Sequence, residues 1–249
     1  MAPRTSPLNI LLLPWKIWCA LVFMGTYVIL FPFFRYFLAN KNYYGVIKTT
    51  RWWVYMFSSL TGIFYSIKRQ FTLDDSRSYI ICSNHTSYLD IVFMHVSVPL
   101  NIVFVGKKEL TRMPFVRVFF REMHIAIDRG STTDAHRGMS RASEEFDVGR
   151  TPVIFPEGTV SPNAPRMRPF KNGAFKLAIE KQADIIPVTF VNNHRLLDTN
   201  HFLFGSGRPG IAKVVVHPPV STKGMQATQV EELKQMVYDI IASALPKTS

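Results

Sequence analysis

Residues 83–90 read Ser-Asn-His-Thr-Ser-Tyr-Leu-Asp and set a histidine, His85, five positions before an aspartate, Asp90. A neutral imidazole takes a proton from a hydroxyl. A carboxylate on its other nitrogen fixes the tautomer and stabilises the imidazolium that forms. The same residues also fit a plain helix start, with Asp90 as a first-turn acid and His85 as a loop residue. The pair needs no serine of its own: Ser83, Thr86 and Ser87 lie close in sequence, but an incoming substrate hydroxyl serves equally well.

Three further stretches carry chemistry-bearing groups after apolar runs. In residues 152–159, Pro-Val-Ile-Phe-Pro-Glu-Gly-Thr, Glu157 can bind a hydroxyl, and Gly158 lets backbone approach a ligand closely. In residues 125–130, Ile-Ala-Ile-Asp-Arg-Gly, Arg129 can clamp a phosphate with two parallel hydrogen bonds, or pair with Asp128 on a surface. In residues 105–110, Val-Gly-Lys-Lys-Glu-Leu, Lys107 and Lys108 offer positive charge. Each is weak alone. Together they put His, Asp, Lys, Arg and Glu where strands end, the place where open α/β sheets bind ligands.

The elements that must hold them are short apolar runs alternating with helical stretches. The runs are residues 78–82, 101–105, 124–127, 152–155, 184–190 and 212–217, and helices are expected near 88–96, 114–121, 132–147, 171–182 and 227–244. This spacing predicts an α/β fold with a mixed central sheet and flanking helices. Residues 191–211 form a long irregular link, expected as a lid or a membrane-contacting loop.

The formal net charge of +12 does not point to nucleic acid, because of where it lies. The first acidic residue is Asp74, and eight bases precede it (Arg4, Lys16, Arg35, Lys41, Lys48, Arg51, Lys68 and Arg69). Those 73 residues also hold the longest apolar stretches, Ile17–Phe34 and Trp52–Ile67. Bases flanking apolar segments suit an anionic lipid surface. A transmembrane hairpin would carry the basic loop 35–51 to the far side, against the positive-inside rule. The expectation is therefore a two-helix motif lying in one leaflet or a single span, with Trp15, Trp18, Trp52 and Trp53 near the headgroups. The chain divides into a membrane-associated helical segment, 1–73, and a catalytic domain, 74–249. The two cysteines, Cys19 and Cys82, form no paired framework and no metal-ligand spacing.

The ordered set of motifs resembles the lysophosphatidic acid acyltransferase (PlsC-like) family of glycerolipid acyltransferases. Asn84 to Asp90 matches its N-H-x-x-x-x-D block. Lys107 to Leu110, with Pro114 and with Ile127-Asp128-Arg129, matches the second. Phe155-Pro156-Glu157-Gly158-Thr159, trailed by Pro169 to Ala174, matches the third, and Ile186-Pro187-Val188 the fourth. The resemblance covers about residues 75–220 and extends to the basic, apolar helix pair in front.

It implies transfer of an acyl chain from an acyl carrier protein or coenzyme A thioester to the hydroxyl of 1-acylglycerol 3-phosphate, with His85 as base and Asp90 as its orienter. Lys107, Arg129, Glu157, Gly158 and Thr159 would bind substrate, with no metal, no cofactor and no acyl-enzyme, at the cytoplasmic face of a membrane. The sequence departs from the pattern at Val160, where the family has arginine, and at 115–124, which lacks glycines. Both changes touch the acceptor side and keep a lyso-aminolipid acceptor of the lyso-ornithine type open. A rival of another class is a thioesterase in which Cys82 or a serine attacks the thioester.

Overall fold

In the chain's computed structural model, residues 6–113, 116–128, 130–201 and 203–246 are described. Helix α1 (Leu13–Ala39) follows a 3₁₀ turn (Pro7–Leu12) and precedes α2 (Tyr43–Thr61). Then come β1 (Ile63–Arg69), β2 (Ile80–Ser83), α3 (Leu89–Ser97), β3 (Ile102–Lys107), α4 (Val116–Glu122), β4 (Ile125–Ile127) and α5 (Thr132–Asp147). The chain ends with β5 (Thr151–Ile154), α6 (Gly173–Glu180), β6 (Ile185–Phe190), α7 (Asn193–Leu196), β7 (Gly210–Val216) and α8 (Val230–Ser243).

The strands form one seven-stranded sheet in the order β1-β7-β6-β2-β5-β3-β4. The five strands from β6 to β4 are mutually parallel. Only β6 and β7 pair antiparallel, so β7 and β1 run the other way. This is the mixed α/β sheet that the alternating runs imply. The central strands read as unbroken apolar stretches because both faces are covered. Ile81, Val153, Ile186 and Val188 pack under α1, α2 and α3. Ile80, Cys82, Val103 and Ile185 pack under α5, α6 and α8.

The apolar segment Trp52–Ile67 is not one helix. Helix α2 stops at Thr61, and Gly62 follows in the left-handed conformation at φ 72°, donating its N–H to the Ser58 carbonyl. Glycine takes that cap without a Cβ penalty. The strand formers Ile63, Phe64, Tyr65 and Ile67 then enter β1, which pairs with β7. The sheet thus draws one strand from before residue 74.

The four tryptophans also divide. Trp18 and Trp52 are exposed, whereas Trp53 is buried and donates Nε1–H to Thr26 Oγ1 at 2.9 Å. Trp15 and Trp18 donate to the Thr61 and Leu60 carbonyls and tie the start of α1 to the end of α2. Indole N–H groups find partners when an aromatic is packed.

Helix α1 lies against protein along most of its length. Cys19 and Val22 join the cluster under α2 and α3, and Phe34 and Leu38 pack with Met123 beyond α4. Its opposite side leaves Trp18, Leu21, Ile29 and Phe33 exposed.

Candidate active site

The loop after β2 is held from both sides. Asn84 fills the gap between the ends of β2 and β6: its Nδ2–H donates to the Phe190 carbonyl at 3.0 Å, and its Oδ1 accepts the Phe190 N–H at 2.8 Å. His85 next donates its backbone N–H to Glu157 Oε1 at 2.8 Å, and its carbonyl accepts the Ser161 N–H at 2.8 Å. The ring stacks on Phe155 with centroids 4.2 Å apart. The loop following β5 therefore fixes the histidine at backbone and ring together.

Asp90 stands in the first turn of α3 and is wholly buried. Its Oδ2 accepts His85 Nδ1 at 2.9 Å, Thr86 N at 2.5 Å and Ser87 N at 2.9 Å. Its Oδ1 accepts Asn193 Nδ2 at 2.8 Å and Thr86 Oγ1 at 3.3 Å. One carboxylate thus fills both roles left open by the sequence: it satisfies orphan amides at a helix start and orients the imidazole. An ionised carboxylate only accepts, so the proton sits on Nδ1 and Nε2 is left as the acceptor. Nε2 makes no hydrogen bond among the described residues, and the side chain keeps 9% of its surface open.

No side-chain nucleophile among the described residues is bonded to that nitrogen. Ser83 Oγ donates to the Asn84 carbonyl and Ser87 Oγ to the Leu197 carbonyl. Cys82 is fully buried on β2, and burial pushes its thiol far above the ordinary range. The arrangement suits a base that draws its nucleophile from a substrate, and it does not favour the thioesterase alternative.

Glu157 faces inward. It is 3% exposed, with Oε1 on the His85 amide and Oε2 accepting the Arg168 amide at 2.8 Å. Burial pushes its pKa up to about 7; the two backbone hydrogen bonds oppose that rise and the charge of Asp90 adds to it. Because the folded value lies above the ordinary one, the charge on Glu157 is disfavoured by folding. Its contribution to stability is fullest below the ordinary glutamate range and is lost as pH rises to about 7. Glu157→Gln has no such slope, and its amide N–H₂ confronts one of the two backbone donors. The wild-type advantage over this variant in thermal melts is expected to shrink as pH rises through that window; an advantage that grows with pH would overturn the assignment.

Gly158 has φ 76° and closes the turn by donating its N–H to the Phe155 carbonyl. A Cβ there would stand 3.2 Å from Lys171 Cε, so both conformation and space call for glycine. Thr159 is exposed, and Val160, in place of the family's arginine, is buried. Lys107 sits at the end of β3, two strands from β2 and so roughly 10 Å away across the sheet. Its half-exposed ammonium pairs with Glu109 at 3.0 Å. Arg129 and Pro114 lie outside the described residues.

The structure thus brings His85, Asp90, Glu157 and Gly158 together and sets Lys107 and Thr159 at the same sheet edge. Sequence reading missed Asn84 as a clasp and Asn193 and Ser161 as partners of the His85 loop. Asn193 was signalled only by its place, directly after a buried strand.

A histidine–carboxylate pair at the strand ends of a mixed sheet suits general-base chemistry on a substrate hydroxyl. Residues 64–191 match the family described as Acyltransferase. The chain belongs to that family.

Its relatives include the 1-acyl-sn-glycerol-3-phosphate acyltransferase of Limnanthes douglasii, 28% identical over 95% of this chain and 75% of that protein. The alpha enzyme of that name from Mus musculus is 33% identical over 72% of this chain and 62% of its own length. The Helicobacter pylori enzyme is 29% identical over 82% and 84%. Among solved structures, the 1-acyl-sn-glycerophosphate acyltransferase PlsC of Thermotoga maritima shares the fold at a TM-score of 0.71, with 24% identity over 94% of this chain and 93% of that one.

Proposed function

We propose that this chain transfers an acyl group from an acyl carrier protein or coenzyme A thioester to the hydroxyl of 1-acylglycerol 3-phosphate, forming phosphatidic acid. The observation that carries this reading is the buried Asp90 carboxylate on His85 Nδ1, which leaves Nε2 as a proton acceptor in a site with no side-chain nucleophile bonded to it among the described residues. Family membership and the acceptor named for the relatives support it.

In the reaction, Nε2 takes the acceptor's hydroxyl proton as the oxygen attacks the thioester carbonyl. The tetrahedral intermediate collapses, the carbon–sulfur bond breaks, and the imidazolium returns the proton to the departing thiolate. Asp90 stabilises the imidazolium between these steps. Lys107 and Arg129 bind the acceptor phosphate, with Gly158 and Thr159 at the same edge. Glu157 serves the acceptor through the loop that it braces.

The enzyme acts on a membrane surface. Residues Pro7–Ala39 are long and apolar enough to cross a bilayer, with an 18-residue stretch of mean hydropathy 2.1. The packing of α1 against α2 and α4 along its inner side supports a helix lying in the interface, its exposed apolar side among lipid and the exposed bases Arg35, Lys41, Lys48 and Lys68 at the cytoplasmic headgroups. Residues 1–73 carry this attachment and 74–249 the chemistry, apart from β1.

An acceptor panel tests the reading. Purified full-length protein with a labelled acyl thioester is expected to prefer lysophosphatidate to a lyso-ornithine lipid. The reverse preference would overturn the acceptor and give the buried Val160 its meaning.

A further inference from the structure

Lys16 is out of place in an otherwise apolar helix face. It is 1% exposed, and its Nζ donates to the Gly205 carbonyl at 2.5 Å. Asp198, wholly buried, acts on it with opposite charge. A buried ammonium is costly unless it is paired and hydrogen-bonded, so this one is built into the fold. The stem is also fitted, since a Cβ on Gly207 would come within 2.7 Å of Lys16 Cε.

The described residues of the segment that Lys16 holds, 193–208, meet the His85 loop directly at two places and at a third through Ser161. Asn193 Nδ2 donates to Asp90 Oδ1, the Leu197 carbonyl accepts Ser87 Oγ at 2.7 Å, and Asn200 Nδ2 donates to the Ser161 carbonyl at 3.1 Å. Ser161 in turn donates its backbone N–H to the carbonyl of His85. Asp198 shapes the segment from within, accepting the amides of Asn200 and His201. At its far end, Phe204 accepts hydrogen bonds from the Ser6 amide and from Asn9 Nδ2. The long link, expected as a lid or a membrane-contacting loop, is fastened to α1 at one end and to the His85 loop at the other.

We infer that Lys16 is a positioning residue: by holding the Gly205 carbonyl it couples the seating of helix α1 to the placement of His85 and Asp90. This rests on the acyl-transfer reading of His85. Its consequence is that an enzyme with α1 displaced keeps every catalytic group and loses their alignment. A misplacement of an ångström suffices for a large loss of rate.

The experiment uses the full-length protein in detergent and on vesicles of phosphatidylcholine with phosphatidylglycerol. K16M is expected to lower kcat about ten-fold or more, with KM for thioester and acceptor nearly unchanged. It is also expected to weaken hydrogen-exchange protection at the Thr86 and Ser87 amides, a readout that needs no substrate. The double variant K16M/D198N removes both charges and so leaves no unpaired one. It is expected to regain melting temperature but not kcat.

A double variant that regains kcat along with melting temperature would reduce the pair to a fold stabiliser and overturn the inference. Unchanged protection at Thr86 and Ser87 in K16M would do the same. If K16M does not fold, N200A breaks only the link to Ser161: lower kcat at unchanged KM supports the coupling, and wild-type kcat overturns it. A wild type inert with lysophosphatidate sinks the acceptor reading alone, because the exchange measurement still decides this one.

Discussion

His85→Ala is expected to abolish acyl transfer, with a loss of about a hundred- to ten-thousand-fold, the range supplied by a positioned general base. The variant is expected to stay folded, because the ring is not what holds its loop. The backbone of residue 85 keeps its bonds to Glu157 and Ser161. Asp90 keeps the Thr86 and Ser87 amides and Asn193 as donors, so its charge is not stranded. What disappears is Nε2, the ring nitrogen without a hydrogen-bond partner among the described residues. Initial rates with a labelled thioester, a circular dichroism spectrum and vesicle flotation separate loss of chemistry from loss of fold or membrane binding. Near-normal turnover in a folded His85→Ala would end the general-base mechanism.

Much of this frame is legible in the residues because local rules carry it. The buried strands announce themselves as unbroken apolar runs, and α5 occupies the expected 132–147 because Ser131 caps a strongly patterned helix. Asp90 is legible as an acid at a helix start, and His85 as a residue five positions before it.

What could not be read depends on contacts between residues far apart in the chain. Asn84 meets Phe190, Asn193 meets Asp90 and Asn200 meets Ser161 without any local pattern to mark the pairing. Glu157 looked like a ligand for substrate because sequence shows a carboxylate at a strand end but not the direction it faces; its partners are the amides of His85 and Arg168. Strand β1 was hidden for another reason. Ile63 to Ile67 continue the apolar composition of α2, and only Gly62 marks the break.

The region before residue 74 is thus more than an attachment. It supplies an edge strand through β1 and a clasp through Lys16. It also braces the far end of α3, where Arg51 donates to the carbonyls of His95 and Val98. Helix α3 begins at the catalytic pair and ends on these bonds. The N-terminal helices and the elements that carry the His85 loop therefore pack into one core.

Asp90→Asn carries the second large effect, and Asn193 decides how it is expressed. Every group around Asp90 is a donor, so an amide must turn its oxygen toward the side that holds three of them. With the new Oδ1 facing His85, Thr86 and Ser87, its N–H₂ points to Asn193. Asn193 Oδ1 is buried with no partner among the described residues, so a flip of that amide lets it accept the new N–H₂. The variant can therefore fold with the same loop geometry and the proton still on Nδ1. The loss is the negative charge that stabilises the imidazolium, and a neutral partner in the same place leaves proton transfer uphill. Turnover is expected to fall by about a hundred-fold or more with little change in melting temperature, within the range that a general base contributes. Asp90→Asn/Asn193→Ala removes the amide that can flip and leaves the new N–H₂ only the distant Thr86 hydroxyl, 3.3 Å from Oδ1, as an acceptor among the described residues. That double variant is expected to add a stability loss of about 1–3 kcal/mol to the same loss of turnover. If Asp90→Asn keeps wild-type turnover, the carboxylate is a helix-start residue only, and the histidine works without it.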